Sequence, residues 1–138
     1  MVFRENELGL EDYQQLRESV GWNRLHAGQA ARALKAGLFS VTAWEDGRLA
    51  GMARLVGDGL YLMAADVVVR PEYQHRGIGR RLVERLLEFA EDQTPSGGRT
   101  SVQLIAEPGR EGFYESLGFR RLPHEASGSG MRRVIHRA

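Results

Sequence analysis

The segment Gln74-His75-Arg76-Gly77-Ile78-Gly79 places two glycines between arginines at positions 76 and 80. Set between a strand and a helix, such a segment aims free backbone N–H groups out of the helix start, and that end attracts anions. Glycine at 77 and 79 leaves those donors uncovered, while Arg76 and Arg80 add positive charge beside them, a geometry that suits a pyrophosphate. The competing reading is a tight strand-to-helix turn with no ligand. Neither familiar nucleotide loop is present: no GK[ST] follows, and Leu82 stands at the third glycine position of GxGxxG, so adenosine triphosphate and dinucleotides are not expected. The local charge leans the same way, with Arg70, Arg76, Arg80, Arg81 and Arg85 opposed only by Glu72 and Glu84.

Other chemistries find few residues. The chain has no cysteine, which removes disulfides, zinc-thiolate sites and cysteine nucleophiles together and fits a reducing compartment, with the cytoplasm as default. His26, His75, His124 and His136 are scattered without ligand spacing such as HxxxH, so no metal is expected. Asp66 is the one carboxylate in the apolar run from Leu60 to Val69. Such a group either accepts hydrogen bonds inside the fold or exchanges protons, the latter more readily if burial raises its pKa.

These residues need elements to hold them. Val2 to Arg4 reads as a strand, Tyr13, Leu16 and Val20 recur at helical spacing before Gly21, and Ala27 to Ala36 reads as a second helix. Phe39 to Trp44 and Arg48 to Val56 are strands joined by a hairpin turn at Asp46-Gly47. Leu60 to Val69 is nearly continuous in apolar character, the pattern of a central strand covered on both faces. From Gly77 onward, Ile78, Leu82, Val83, Leu86, Leu87 and Ala90 make one apolar helix face. Val102, Leu104 and Ala106 alternate as a strand, Pro108 suits the first turn of a helix running to Leu117 and stopping at Gly118, and Phe119 to Leu122 and Met131 to His136 read as two closing strands. The 138 residues fit one α+β domain, residues 1–138. A net charge of +1 gives no general affinity for nucleic acid, and no stretch approaches the roughly 20 apolar residues that cross a bilayer.

The run Val67-Val68-Val69-Arg70-Pro71-Glu72-Tyr73-Gln74-His75-Arg76-Gly77-Ile78-Gly79 resembles the signature of the GCN5-related N-acetyltransferase (GNAT) family, whose pattern is [QR]xxGx[GA]. A second family mark, a Phe-Tyr pair followed by Gly-Phe, is matched by Phe113-Tyr114 and Gly118-Phe119, in family order. The resemblance covers nearly the whole chain, and Leu60 to Phe119 is its most diagnostic part. It implies a mixed, mostly antiparallel sheet of roughly six to seven strands with about four helices and splayed central strands. It also implies acetyl-coenzyme A as co-substrate, with no metal, and a primary amine as acceptor that attacks directly in a ternary complex. By position, the backbone of Val67 and Val69 would bond the pantetheine arm, and N–H groups from His75 through Arg80 would meet the phosphates, with Gln74 opening the motif. An N–H at Val67 or Val68 would stabilise the oxyanion. Tyr114 would be the general acid, against a competing role in packing beside Phe113.

The chain departs from the family in two places. Some relatives carry a glutamate base where Met63 stands, which leaves Asp66 as candidate base, directly or through water. Many place an asparagine where Glu107 stands, so that contact with the arm is in doubt. Trp22 lies in a segment that lines the acceptor pocket of relatives, or it is a packing plug. The acceptor segments, Ser19 to Leu38 and Gly128 to Met131, carry no acidic cluster, leaving small-molecule and peptide amines both open. A non-catalytic sensor of acetyl-coenzyme A and a transferase of another acyl group are the alternatives, and homodimers are a family habit.

Overall fold

The computed structural model describes all 138 residues. The chain separates into two compact units, Met1–Leu104 and Ile105–Ala138, and each is described in turn.

The first unit contains β1 (Val2–Glu5), α1 (Leu10–Ser19), α2 (Ala27–Ala36), β2 (Phe39–Glu45), β3 (Arg48–Gly57), β4 (Tyr61–Val69), a short 3-10 turn (Pro71–Tyr73), α3 (Ile78–Gln93) and β5 (Ser101–Gln103). Alanine-rich α2 starts where the His26 ring accepts a hydrogen bond from the Gln29 N–H (3.1 Å). Asp46 and Gly47 both take positive φ (51° and 76°), the turn that matches the twist of a two-residue hairpin. The five strands form one sheet in sequence order, antiparallel from β1 to β4 and parallel between β4 and β5.

Each face of this sheet builds its own core. On one side Ile78, Leu82, Leu86 and Ala90 of α3 pack on Phe39, Val41, Leu55 and Leu62. On the other, Tyr13 and Leu16 of α1 and Ala30 of α2 pack on Leu49, Met52 and Val68. α3 therefore lies with its start beside the end of β4, because the period of its apolar face holds it flat on the sheet.

Coverage of β4 differs from the expected burial on both faces. Leu62 and Ala64 are buried, but Tyr61 and Met63, pointing the opposite way, are 57% and 38% exposed. The β3–β4 turn approaches its own strand closely at Gly57 (φ 140°), where an added methyl would collide with the Tyr61 carbonyl oxygen and lie 2.9 Å from Leu62 Cα. Both neighbours are backbone and cannot swing aside. Gly57→Ala should lower stability by about 3 kcal/mol, read as a shift in the urea midpoint; an unchanged midpoint would show that the turn has room.

The second unit contains one short helix, α4 (Glu111–Glu115). It begins later than Pro108 because Gly109 sits at φ 86°, off the right-handed helical path. It ends at Glu115, short of the expected Leu117, and the chain turns away at left-handed Gly118 (φ 93°), where the Phe119 N–H donates to the Tyr114 carbonyl (3.1 Å) and the Gly118 N–H to the Glu115 carbonyl (3.0 Å). The expectation of six to seven strands is corrected to five, since neither Phe119 to Leu122 nor Met131 to His136 is a strand. Both segments have strand-like residue types, but a strand exists only where a neighbour completes its ladder, and neither enters the sheet. The four helices, and the mixed and mostly antiparallel sheet, are as expected.

Candidate active site

The site begins where β4 loses a neighbour. Pairing with β5 covers only Tyr61, Leu62 and Met63, so the second half of β4 is paired through β3 alone. The Arg70 N–H donates to the Ala50 carbonyl on β3 (2.8 Å). Alternation along a strand then turns the backbone groups of Val68 toward β3 and those of Val67 and Val69 toward the open edge.

Just before that edge the register breaks. Met52 faces Val68 and Arg54 faces Ala65, so Asp66 and Val67 together oppose the single residue Ala53. Asp66 is the bulged residue, at φ 52°, a left-handed conformation that aspartate tolerates better than most residues. Its carboxylate is held from three directions. Oδ2 accepts from the Tyr13 hydroxyl (2.7 Å) and from Arg54 Nε (2.8 Å), and Oδ1 from Arg17 Nη1 (3.3 Å). The side chains of Asp66, Arg17 and Arg54 are only 12–15% exposed. Arg54 Nη1 is buried without a hydrogen-bond partner. It faces Gly37 at the C-terminal end of α2, where the helix dipole favours positive charge.

Beyond β4 the loop has the conformation an anion needs. His75 and Gly77 are both left-handed (φ 65° and 81°), the kind of residue from which concave rows of N–H groups are built. No side chain caps the start of α3, and its first turn holds no acidic residue. The Arg81 N–H is the first to bond back, to the Gly77 carbonyl (3.1 Å), so the N–H groups of Ile78, Gly79 and Arg80 precede the helical ladder. Gln74 to Gly77 are exposed while Ile78 is buried as the anchor of the turn.

The side chains of this loop are already engaged. Gln74 Nε2 donates to the Val69 carbonyl (3.0 Å), tying the loop back to the end of β4. Arg76 pairs with Glu45 (3.2 Å) and lies over the Tyr73 ring (5.2 Å), and Arg80 pairs with Glu84 (3.6 Å). The structure thus brings Asp66, Val67, Val68, Val69 and Gln74 through Arg80 into one continuous stretch. A cavity of about 290 Å³, lined by Asn6, Lys35, Ser40 and Arg54 among others, includes none of these residues.

Tyr114 belongs to the second unit, on α4, with edge-on ring contacts to Phe113 (5.0 Å between centroids) and Phe119 (5.8 Å). Burial raises its phenol above the ordinary 10.0; the Arg110 charge opposes that rise and Glu107 adds to it.

Three residues around Asp66 were not singled out from the sequence. Tyr13 and Arg17 stand four apart on α1 and so share a face, and Arg54 interrupts the apolar interior of β3. A lone arginine in such a strand signals a buried partner, but nothing local says which carboxylate it meets. Arg17 also donates through Nε to the Asn23 carbonyl (3.0 Å) and lies over the Trp22 ring (5.3 Å), in the connection between α1 and α2.

Comparison with known proteins agrees with this geometry. Residues 37–121 match the family described as "Acetyltransferase (GNAT) domain". An uncharacterised N-acetyltransferase, ycf52-like, of Prochlorococcus marinus is 35% identical over 84% of this chain and 65% of its own length. Serotonin N-acetyltransferase 2, chloroplastic, of rice (Oryza sativa subsp. japonica) is 36% identical over 79% of this chain and 55% of its own. This chain therefore spans less than two thirds of either relative. The solved structure of a GNAT-family acetyltransferase from Streptococcus pneumoniae superposes with a TM-score of 0.81 at 29% identity, covering 99% of this chain and 98% of that one. With the family's domain matched across β2 to α4, the chain belongs to the GNAT family of acetyltransferases.

Proposed function

We propose that this acetyltransferase takes its acetyl group from acetyl-coenzyme A and passes it to a primary amine, by direct attack within a ternary complex. The observation that carries this reading is the continuity of the open β4 edge with the uncapped start of α3. An amide-bearing arm that ends in a pyrophosphate needs those two features in that order. The residues present fit such a ligand: the N–H groups from His75 through Arg80 would hold the phosphates, and the open-edge groups of Val67 and the Val69 N–H would bond the arm. The Val69 carbonyl is already taken by Gln74.

Acetyl-coenzyme A, when bound, supplies an activated acyl carbon and a thiolate leaving group. The chain must then stabilise charge on the acyl oxygen and deliver one proton to sulfur. The Val67 N–H, fixed beside the bulge and facing the open edge, is suited to the first task. Tyr114 is suited to the second, because a half-buried phenol with a raised pKa still carries the proton that a departing thiolate must receive. Asp66 is less suited to act as base than its place in β4 suggested. Both its oxygens accept hydrogen bonds, two of them from guanidinium groups, and protonation would sacrifice that arrangement. The acceptor then enters as the neutral amine drawn from solution.

The reaction is tested by initial rates of coenzyme A release against a panel of arylalkyl, polyamine and peptide amines, with both substrates varied. Intersecting reciprocal lines are expected. Parallel lines would require a covalent acetyl carrier and overturn direct attack, although the chain has no cysteine for that role. No helix is long and apolar enough to cross a membrane.

A further inference from the structure

The four-residue cluster of Tyr13, Arg17, Arg54 and Asp66 joins elements that are far apart in the chain, and the acetyl-transfer chemistry above uses none of them directly. Asp66 sits at the one non-glycine left-handed position within β4 and takes hydrogen bonds from α1 and β3 at once. A bulge shifts the backbone that follows it, so whatever anchors the bulged side chain sets where the next N–H points. The next N–H is that of Val67.

Arg17 extends the anchor. One guanidinium bonds the Asp66 carboxylate and the Asn23 carbonyl and lies over Trp22, so the connection between α1 and α2 is strapped to the bulge through a single side chain. We propose that Asp66 and Arg17, braced by Arg54 and Tyr13, are positioning residues that aim the Val67 N–H and make its aim depend on the state of the α1–α2 connection. An acceptor that settles this connection would thereby settle the charge-stabilising donor. The proposal rests on the assignment of the Val67 N–H made above, and it gives Asp66 a role that needs no proton transfer.

The test uses the full chain, labelled with nitrogen-15, as wild type and as Asp66→Asn, Arg17→Gln and the double variant. Asparagine tolerates the left-handed conformation as aspartate does, so Asp66→Asn removes the ionic anchor while leaving the backbone preference in place. The chemical shift and order parameter of the Val67 amide are recorded on the protein alone, and steady-state kinetics with acetyl-coenzyme A and an active amine are run beside it. In Asp66→Asn, the Val67 amide resonance should leave its wild-type position and its order parameter should fall from about 0.85 to below about 0.6. Its kcat should fall by about 100-fold, the loss typical of a misplaced charge-stabilising donor. The KM for the donor should stay within about twofold, as for an interaction made only in the transition state, and the shape of the pH–rate profile should not change. Arg17→Gln should move both readouts in the same direction, and the double variant should be no worse than Asp66→Asn, because the two act as one unit.

An unmoved Val67 amide in both single variants overturns the proposal. So does a profile that loses its acidic limb in Asp66→Asn while the Val67 amide stays put, which would make Asp66 the base after all. Arg17→Gln answers the same question if Asp66→Asn fails to fold. Because the amide readout needs no turnover, a wild type that acetylates no amine would count against the proposed donor and acceptor, and the Val67 amide resonance would still decide the positioning role.

Discussion

Gly77→Glu should abolish measurable binding of acetyl-coenzyme A, a loss of at least about 100-fold in calorimetric titration of folded protein. Two effects combine. Gly77 is left-handed (φ 81°), so any side chain there carries backbone strain of about 1 kcal/mol. Glutamate also brings a negative charge to the uncapped start of α3, where the dipole and free N–H groups would otherwise meet a phosphate. Gly77→Ala separates the two, because an added methyl meets nothing within 4 Å. It should weaken binding less than about tenfold, in line with strain alone. Equal losses in both variants would mean that loop shape, and not charge, governs the site. Full binding by Gly77→Glu would mean that the anion does not sit at this helix start.

Tyr114→Phe should lower kcat by about 100- to 1000-fold while leaving the affinity for acetyl-coenzyme A within about twofold. The ring contacts with Phe113 and Phe119 survive the substitution, so α4 keeps its packing and only the hydroxyl proton is lost. The pH dependence gives an independent check. Burial, with Glu107, raises the phenol against the opposing charge of Arg110, so it gives up its proton at higher pH than an ordinary tyrosine. In wild type, kcat/KM should therefore rise with pH as the acceptor amine becomes neutral, and any falling limb due to Tyr114 should have its midpoint above that of an ordinary tyrosine. A falling limb near pH 8 that persists in Tyr114→Phe would point to another acid. Unchanged turnover in Tyr114→Phe under saturating donor would remove Tyr114 from the chemistry.

The strengths and the gaps of the sequence reading have different physical origins. The second helix, Ala27–Ala36, was read to the residue, as were the starts of β2 and β3, because alanine content, alternation and the Asp46-Gly47 turn are local signals. The helix from Ile78 was equally clear, since its apolar face repeats within the segment itself. The closing strands failed for the opposite reason. Phe119 to Leu122 and Met131 to His136 have the residue types of strands, but a ladder depends on a partner that no local pattern supplies.

At the site the same division holds. Residue types and spacing were enough to mark Gln74 to Arg80 as an anion loop and to place Tyr114 in the second family mark, because phosphate-binding loops work through glycine, backbone and helix start, all contiguous in the chain. The sequence also singled out Asp66, but could not say what it does. That depended on Tyr13, Arg17 and Arg54, which lie 53, 49 and 12 residues away and meet the carboxylate only once α1 and β3 are packed on either side of it. The bulge in β4 was likewise invisible, since it is a mismatch of two residues against one across neighbouring strands and has no meaning within a single strand. The sequence by itself determined most of the elements and the family, because those rest on patterns between near neighbours. Only the tertiary structure decided that Asp66 accepts hydrogen bonds from Tyr13, Arg17 and Arg54, because those residues are far apart until the chain folds.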